Sequence, residues 1–142
     1  MARLFVDNLT VIDFSYLDNM RGVVGESWIV DIELAGDLDD QGMVFDFGSV
    51  KKQIKQFIDE EIDHRLLVPT KSSGCSILGD NNQLAVEFSL INGGIIRHQS
   101  PKDAVLLIDD QVIDSSNIAQ ELQARIKLFL PCLLYTSPSP RD

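Results

Sequence analysis

The hydrophobic positions follow two periods along the chain. Residues 3–16 mix Leu4, Phe5, Val6, Leu9, Val11, Ile12, Phe14 and Tyr16 with short polar interruptions. That pattern predicts a first strand with a bulge near Asp7 and Asn8. Asp18, Asn19 and Gly22 supply turn chemistry. Trp28, Val30, Ile32 and Leu34 then alternate with Ile29, Asp31, Glu33 and Ala35. A period of two with one apolar and one mixed face predicts a half-buried strand, with Trp28 on its core side. The stretch from Gly36 to Gly42 reads as a turn. From Val50 the period lengthens. Val50, Ile54, Phe57, Ile58 and Ile62 fall at helical spacing, with Lys51, Lys52, Lys55, Asp59 and Glu60 on the other side. Asp46 or Ser49 supplies the N-cap. Pro69 blocks helix continuation and holds Val68 extended.

Residues 71–98 read as a hairpin-bearing insert. Residues 79–82 are a turn signal. Leu84, Val86, Phe88 and Leu90 alternate with Ala85, Glu87, Ser89 and Ile91. Asn92, Gly93 and Gly94 mark a second turn before Ile95 and Ile96. Residues 104–108 form a short apolar strand. Asp114, Ser115 and Ser116 are cap candidates for a helix over Ile118, Leu122, Ile126 and Phe129. The order is strands, helix, strands, helix, which makes the fold class α+β.

Composition bounds the rest. The 142 residues suit one domain, and a hydrophobic content of 44% supplies a core. The absence of a long apolar run leads to an expectation of no membrane partner and a cytoplasmic location. Twenty-two acidic against twelve basic residues give a net charge of -10. Such a surface repels phosphate backbones, so nucleic acid is not an expected partner. Cys75 and Cys132 belong to no metal or redox pair. His98 reads as a surface residue.

The last eleven residues, 132–142, break the preceding pattern with Ser-Pro repeats. They resemble the in-frame translation of a transposase adaptor used in sequencing libraries, with every codon in order. Residues 1–131 are therefore expected to be one domain cut short at its C-terminus, and 132–142 to be non-native.

Gly42-Met43-Val44-Phe45-Asp46-Phe47, a Lys-bearing helix, and then Asp63-His64-Arg65-Leu66-Leu67 form a spaced pair of motifs. Together they resemble the central signature of the 6-pyruvoyltetrahydropterin and 6-carboxytetrahydropterin synthase family. The strand ending at Leu38 and the segment Asn117-Ile118-Ala119 fit the same pattern, so the resemblance covers residues 4–70 and 104–131. It implies a T-fold: an antiparallel sheet with two helices on one face, here with a β-hairpin insert, closing into barrels as a homo-oligomer. It implies a zinc-dependent carbon–oxygen lyase that converts dihydroneopterin triphosphate to a 6-substituted tetrahydropterin, in queuosine or pterin biosynthesis. A pterin or purine-type small molecule is the ligand implied.

The resemblance also assigns positions. The family's zinc histidines fall on Ser15, Val24 and Glu26, and its catalytic cysteine falls on Met20. Zinc needs neutral imidazoles or comparable donors, so no metal and no cofactor is expected on this chain. Asp63 and His64 keep the family's proton-transfer pair and are the catalytic candidates. The family's glutamate that anchors the pterin ring lies in a strand after the second helix, beyond Pro131. Three functional readings are open. The chain is part of a longer synthase-like protein and inactive alone, or a non-catalytic T-fold module for pterin or purine binding or assembly, or an enzyme using metal-free chemistry at His64.

Overall fold

A computed structural model describes residues 2–36, 47–128 and 133–140. Most of the turn expected before Gly42, the cap candidate Asp46 and Phe129 lie outside these residues. β1 (Ala2–Asp18) and β2 (Gly22–Gly36) form a long antiparallel hairpin closed at residues 19–21. Its alternation is the one the sequence predicts: Ile12, Phe14 and Tyr16 on β1, and Trp28, Val30 and Ile32 on β2, are buried on one face.

Two helices cover that face. α1 (Phe47–Glu61) supplies Ile54 and Ile58, with Ile62 just past its end, and α2 (Ser115–Lys127) supplies Ile118, Leu122 and Ile126. All six are at most 1% exposed. Burying each stabilises the fold by about 1.5–3 kcal/mol, so this aliphatic seam outweighs any surface contact. Asp114 caps α2, accepting the Asn117 N–H at 2.8 Å. Ser49 lies inside α1 rather than before it. Arg125 reaches Glu121 at 2.8 Å and Glu61 of α1 at 3.4 Å, half-exposed pairs of up to about 1 kcal/mol each.

The main sheet has five strands in the order β7-β3-β1-β2-β8, adding β3 (Leu66–Pro69), β7 (Val105–Ile108) and β8 (Leu133–Pro140). β8, within the segment read as adaptor translation, runs antiparallel along β2. β3 runs parallel to β1, and β7 parallel to β3. Parallel neighbours need a long crossover, and the insert between β3 and β7 provides it. The insert has one strand more than a hairpin. β4 (Ser76–Gly79), β5 (Gln83–Ser89) and β6 (Ile95–Pro101) form a second antiparallel sheet. Leu84, Val86 and Phe88 of β5 pack with Leu17, Val68 and Val105 in a second core. Tyr16 belongs to the first core and Leu17 to the second. Helices therefore cover one face of the main sheet and the insert covers the other.

The β1 bulge is where the sequence places it. Val6 pairs with Ile32 and Thr10 with Val30, so four steps on β1 oppose two on β2. Asn8 takes φ 55°, and its N–H donates to Asp31 Oδ1 at 2.7 Å. The buried Thr10 hydroxyl donates to Asp59 Oδ1 at 2.7 Å and so ties β1 to α1.

Candidate functional site

The chain leaves α1 through residues 62–64 and docks on β1. The His64 N–H donates to the Asp13 carbonyl at 2.7 Å, and the Ser15 N–H donates to the Arg65 carbonyl at 3.1 Å. Asp63 Oδ1 accepts the Asp13 N–H at 2.8 Å, while its Oδ2 lies 3.3 Å from His64 Nε2. One carboxylate thus fixes the backbone and faces the imidazole. The two catalytic candidates are in contact, and the His64 side chain is 78% exposed. A carboxylate beside an accessible imidazole is the arrangement general acid–base chemistry uses. His64 also sits at φ 62°, a left-handed conformation that costs an L-residue about 1–2 kcal/mol.

Asp63→Ala should lower stability by about 1–3 kcal/mol, because the Asp13 N–H loses its acceptor. Asp63→Asn retains an acceptor oxygen and should recover most of that loss. Urea unfolding of the two variants separates the outcomes, and equal stability would show that the Asp13 contact contributes nothing.

The structure does not bring Ser15, Val24 and Glu26 together. Ser15 pairs with Gly25, whereas Tyr16 pairs with Val24 and Phe14 with Glu26. Directly opposed residues share a face and successive residues alternate. Val24 and Glu26 therefore stand on the helix side with Tyr16. Ser15 stands on the insert side with Leu17, and its parallel neighbour Leu66 packs against the second core. The position that faces the other two is Tyr16. Counting by twos from Ile12 on β1 and back from Trp28 on β2 gives that set from the sequence, so the signal was present.

Tyr16, Val24 and Glu26 do not fit zinc. Val24 is apolar and 6% exposed, and Glu26 is one carboxylate. The Tyr16 hydroxyl accepts from Arg21 Nη1 at 3.4 Å. Among the described residues, no group of three or more His, Cys, Asp or Glu could hold a metal ion. Met20 lies in the hairpin turn, 74% exposed. Asp18 Oδ2 shapes that turn by accepting the N–H groups of Met20 and Arg21 at 3.0 and 2.8 Å. A thioether has no proton to exchange, so Met20 offers neither nucleophile nor base.

Burial pushes the Tyr16 phenol above its ordinary range; Arg21 beside it pulls the other way, and Glu26 and Asp18 push it further up. The fold therefore favours the neutral phenol. Its contribution to stability is intact below the unfolded value near 10 and is lost as pH climbs through the higher folded value. Tyr16→Phe should remove that alkaline decline, read by urea unfolding across pH 9–12; an unchanged profile would exclude Tyr16 as its source.

His98 differs in environment from what the sequence suggests, and Cys75 takes the ordinary packing role expected of it. His98 is half-buried on β6 opposite Val86, with Nε2 enclosed and unpartnered among the described residues. Its neighbours on β5 and β6 bury it, which a lone histidine beside an arginine does not reveal. Cys75 packs at the edge of the second core, and burial pushes its thiol up, away from reactive thiolate chemistry. No helix among the described residues is long and apolar enough to cross a membrane.

Comparison with known proteins identifies the fold and the family. The 6-pyruvoyl tetrahydropterin synthase family model matches residues 14–126. A protein of Pyrococcus horikoshii assigned as a 6-carboxy-5,6,7,8-tetrahydropterin synthase is 24% identical over 123 residues, covering 84% of this chain and 68% of its own. A Pyrococcus abyssi counterpart is 23% identical over 124 residues, with the same two coverages. The crystal structure of 6-pyruvoyl tetrahydropterin synthase from Plasmodium vivax superposes with a TM-score of 0.74 at 19% identity, covering 99% of this chain and 92% of that one. The structural match shows the T-fold, and the family match runs from Phe14 in β1 to Ile126 in the last turn of α2: the chain belongs to the 6-pyruvoyl tetrahydropterin synthase family.

Proposed function

We propose that this chain is a pterin-synthase-family protein that does not, by itself, run the zinc-dependent conversion of dihydroneopterin triphosphate to a 6-substituted tetrahydropterin. The observation that carries this reading is the helix-side face of the β1–β2 hairpin. Where the resemblance calls for imidazoles, Val24 is buried and apolar and Glu26 is the only carboxylate of the set. Met20 removes the cysteine's part as well. Its biosynthetic setting would be pterin or queuosine formation in the cytoplasm, as one chain of a homo-oligomer.

A second reading has its own support. Asp63 and His64 remain in contact, with the imidazole open to solvent. That pair suits a module that holds a pterin or purine-type molecule, with His64 binding or moving a proton at a ring nitrogen.

Metal analysis and a turnover assay on the purified chain test the main reading. The expected result is no stoichiometric zinc and no turnover of dihydroneopterin triphosphate. About one zinc per chain, or turnover that vanishes in His64→Gly, would overturn it. Gly is the informative replacement because it relieves the left-handed backbone at this position. His64→Gly should leave stability unchanged or raise it by about 1 kcal/mol, so a lost activity would report chemistry rather than unfolding. Pterin binding by the wild-type chain that His64→Gly weakens, without turnover in either, would establish the second reading.

A further inference from the structure

β1, β3 and β7 run in the same direction, and the segments that follow them converge. Asn19 after β1, Lys71, Ser72 and Ser73 after β3, and Gln111 and Val112 after β7 line one cavity of about 230 Å³. The space beyond the carboxyl ends of parallel strands is where open sheets place their ligands. This cavity lies at the opposite end of β3 from Asp63 and His64, across four strand residues, or roughly 13 Å of strand.

The loops around it are fixed. Thr70 and Lys71 donate their N–H groups to the carbonyls of Ile108 and Asp110 at 2.9 and 3.1 Å. The Thr70 hydroxyl also donates to the Ile108 carbonyl, at 3.1 Å. Ser72 N–H donates back to the Pro69 carbonyl and Cys75 N–H to the Ser72 carbonyl, at 3.1 and 3.0 Å. Gly74 closes the turn at φ 80°, where a Cβ would lie 2.5 Å from the Ser89 hydroxyl oxygen.

Ser72 is the anomaly. It is 6% exposed, and its hydroxyl has no hydrogen-bond partner among the described residues. Buried hydroxyls nearly always have one. The cavity's other lining residues include one with a hydroxyl (Ser73), one with an ammonium (Lys71) and two with side-chain amides (Asn19 and Gln111). Among the described residues no carboxylate lines the cavity, although the chain has 22 acidic residues. Three carboxylates lie near the cavity without lining it: Asp18 caps the hairpin turn, Asp110 precedes Gln111, and Asp109, 78% exposed, contacts Lys71 at 3.6 Å. An exposed pair of that length is readily exchanged for another anion.

We propose that this cavity binds a small oxyanion group, phosphate or carboxylate, with the Ser72 and Ser73 hydroxyls donating to it and Lys71 balancing its charge. Its volume lies below the roughly 300–1,000 Å³ of pockets that enclose whole ligands, so it fits one such group.

The test is titration of inorganic phosphate into the ¹⁵N-labelled full chain at low ionic strength, with acetate as a competitor. Saturating shifts are expected at the amides of Ser72, Ser73 and Gly74. Displacement by acetate assigns the site to carboxylates, and resistance to it assigns the site to phosphate. Lys71→Gln should weaken phosphate binding by about tenfold or more, the effect of losing one charged hydrogen bond. Ser72→Ala should weaken it while melting no lower than wild type in phosphate-free buffer. Should Ser72→Ala fail to fold, Lys71→Gln and Ser73→Ala, both at exposed positions, carry the test. Absence of saturating shifts would overturn the proposal, as would shifts that Lys71→Gln and Ser73→Ala leave unchanged; the hydroxyl would then hold a buried water and nothing more.

Discussion

Trp28→Ala should destabilise the protein by about 3–5 kcal/mol, as removal of a large core aromatic does. Trp28 is 5% exposed at the centre of the helix-side core. Its ring meets Phe14 edge-on, with centroids 4.8 Å apart and planes at 82°. Such pairs add about 0.5–1.5 kcal/mol beyond the area they bury. The neighbours that would have to collapse into the vacated space belong to two helices and a sheet, so relaxation is limited. Against a total stability of about 5–15 kcal/mol, this loss approaches unfolding for a chain at the lower end. Urea denaturation should show a lower midpoint with an unchanged slope. A loss below about 1 kcal/mol would mean that Trp28 is not packed as described.

Grafting three histidines at Tyr16, Val24 and Glu26 should create a zinc site where this chain has none. Tyr16 and Val24 are directly paired across the hairpin, and Glu26 is two residues along the same face. Their Cβ atoms are then about 5–7 Å apart, within reach of a single ion at Zn–N distances of about 2.0–2.1 Å. The triple variant should retain about one zinc per chain after dialysis. The same design with Ser15→His in place of Tyr16→His places one imidazole on the insert side and leaves two ligands. Its affinity should be lower by at least about a hundredfold, since even losing a hydrogen-bond partner of a ligand costs about 10–100-fold. Equal zinc retention by the two designs would refute the facing deduced from the ladder.

These two predictions mark what could be read from the sequence. Both helices and the core face of β2 follow from local periodicity, because period and burial are coupled within one element. Trp28, Ile54 and Leu122 needed no partner to be placed. The bulge near Asn8 was legible because Asp and Asn interrupt an otherwise apolar run. Ser15 was the less readable position. A motif fixes a residue to within one or two places, but strand alternation makes an error of one a change of face. The parallel alignment of β3 and β7 with β1 was also hidden. Leu66–Pro69 and Val105–Ile108 are four residues each, too short for their pattern to name a neighbour. β4 was missed for a related reason: Ser76–Gly79 carries only two apolar residues and is mostly exposed. The cavity around Ser72 depends on three loops that meet only after those strands are aligned. The Asp63–His64 contact was readable as a motif, while the Asp13 N–H it also serves belongs to a distant strand.

The bulge in β1 restricts how the length of this hairpin can change. The two extra residues between Val6 and Thr10 are an even number, so Val6 still packs against the helix-side core and Phe5 stays outside, 66% exposed. Losing one residue there would exchange the two, turning Phe5 inward and Val6 outward. Losing two would restore a plain ladder with Phe5 and Val6 on their present faces. Insertions and deletions at this point should therefore be accepted in pairs. The register of the hairpin records the parity of its length, and the identity of the residues that fill the bulge matters less.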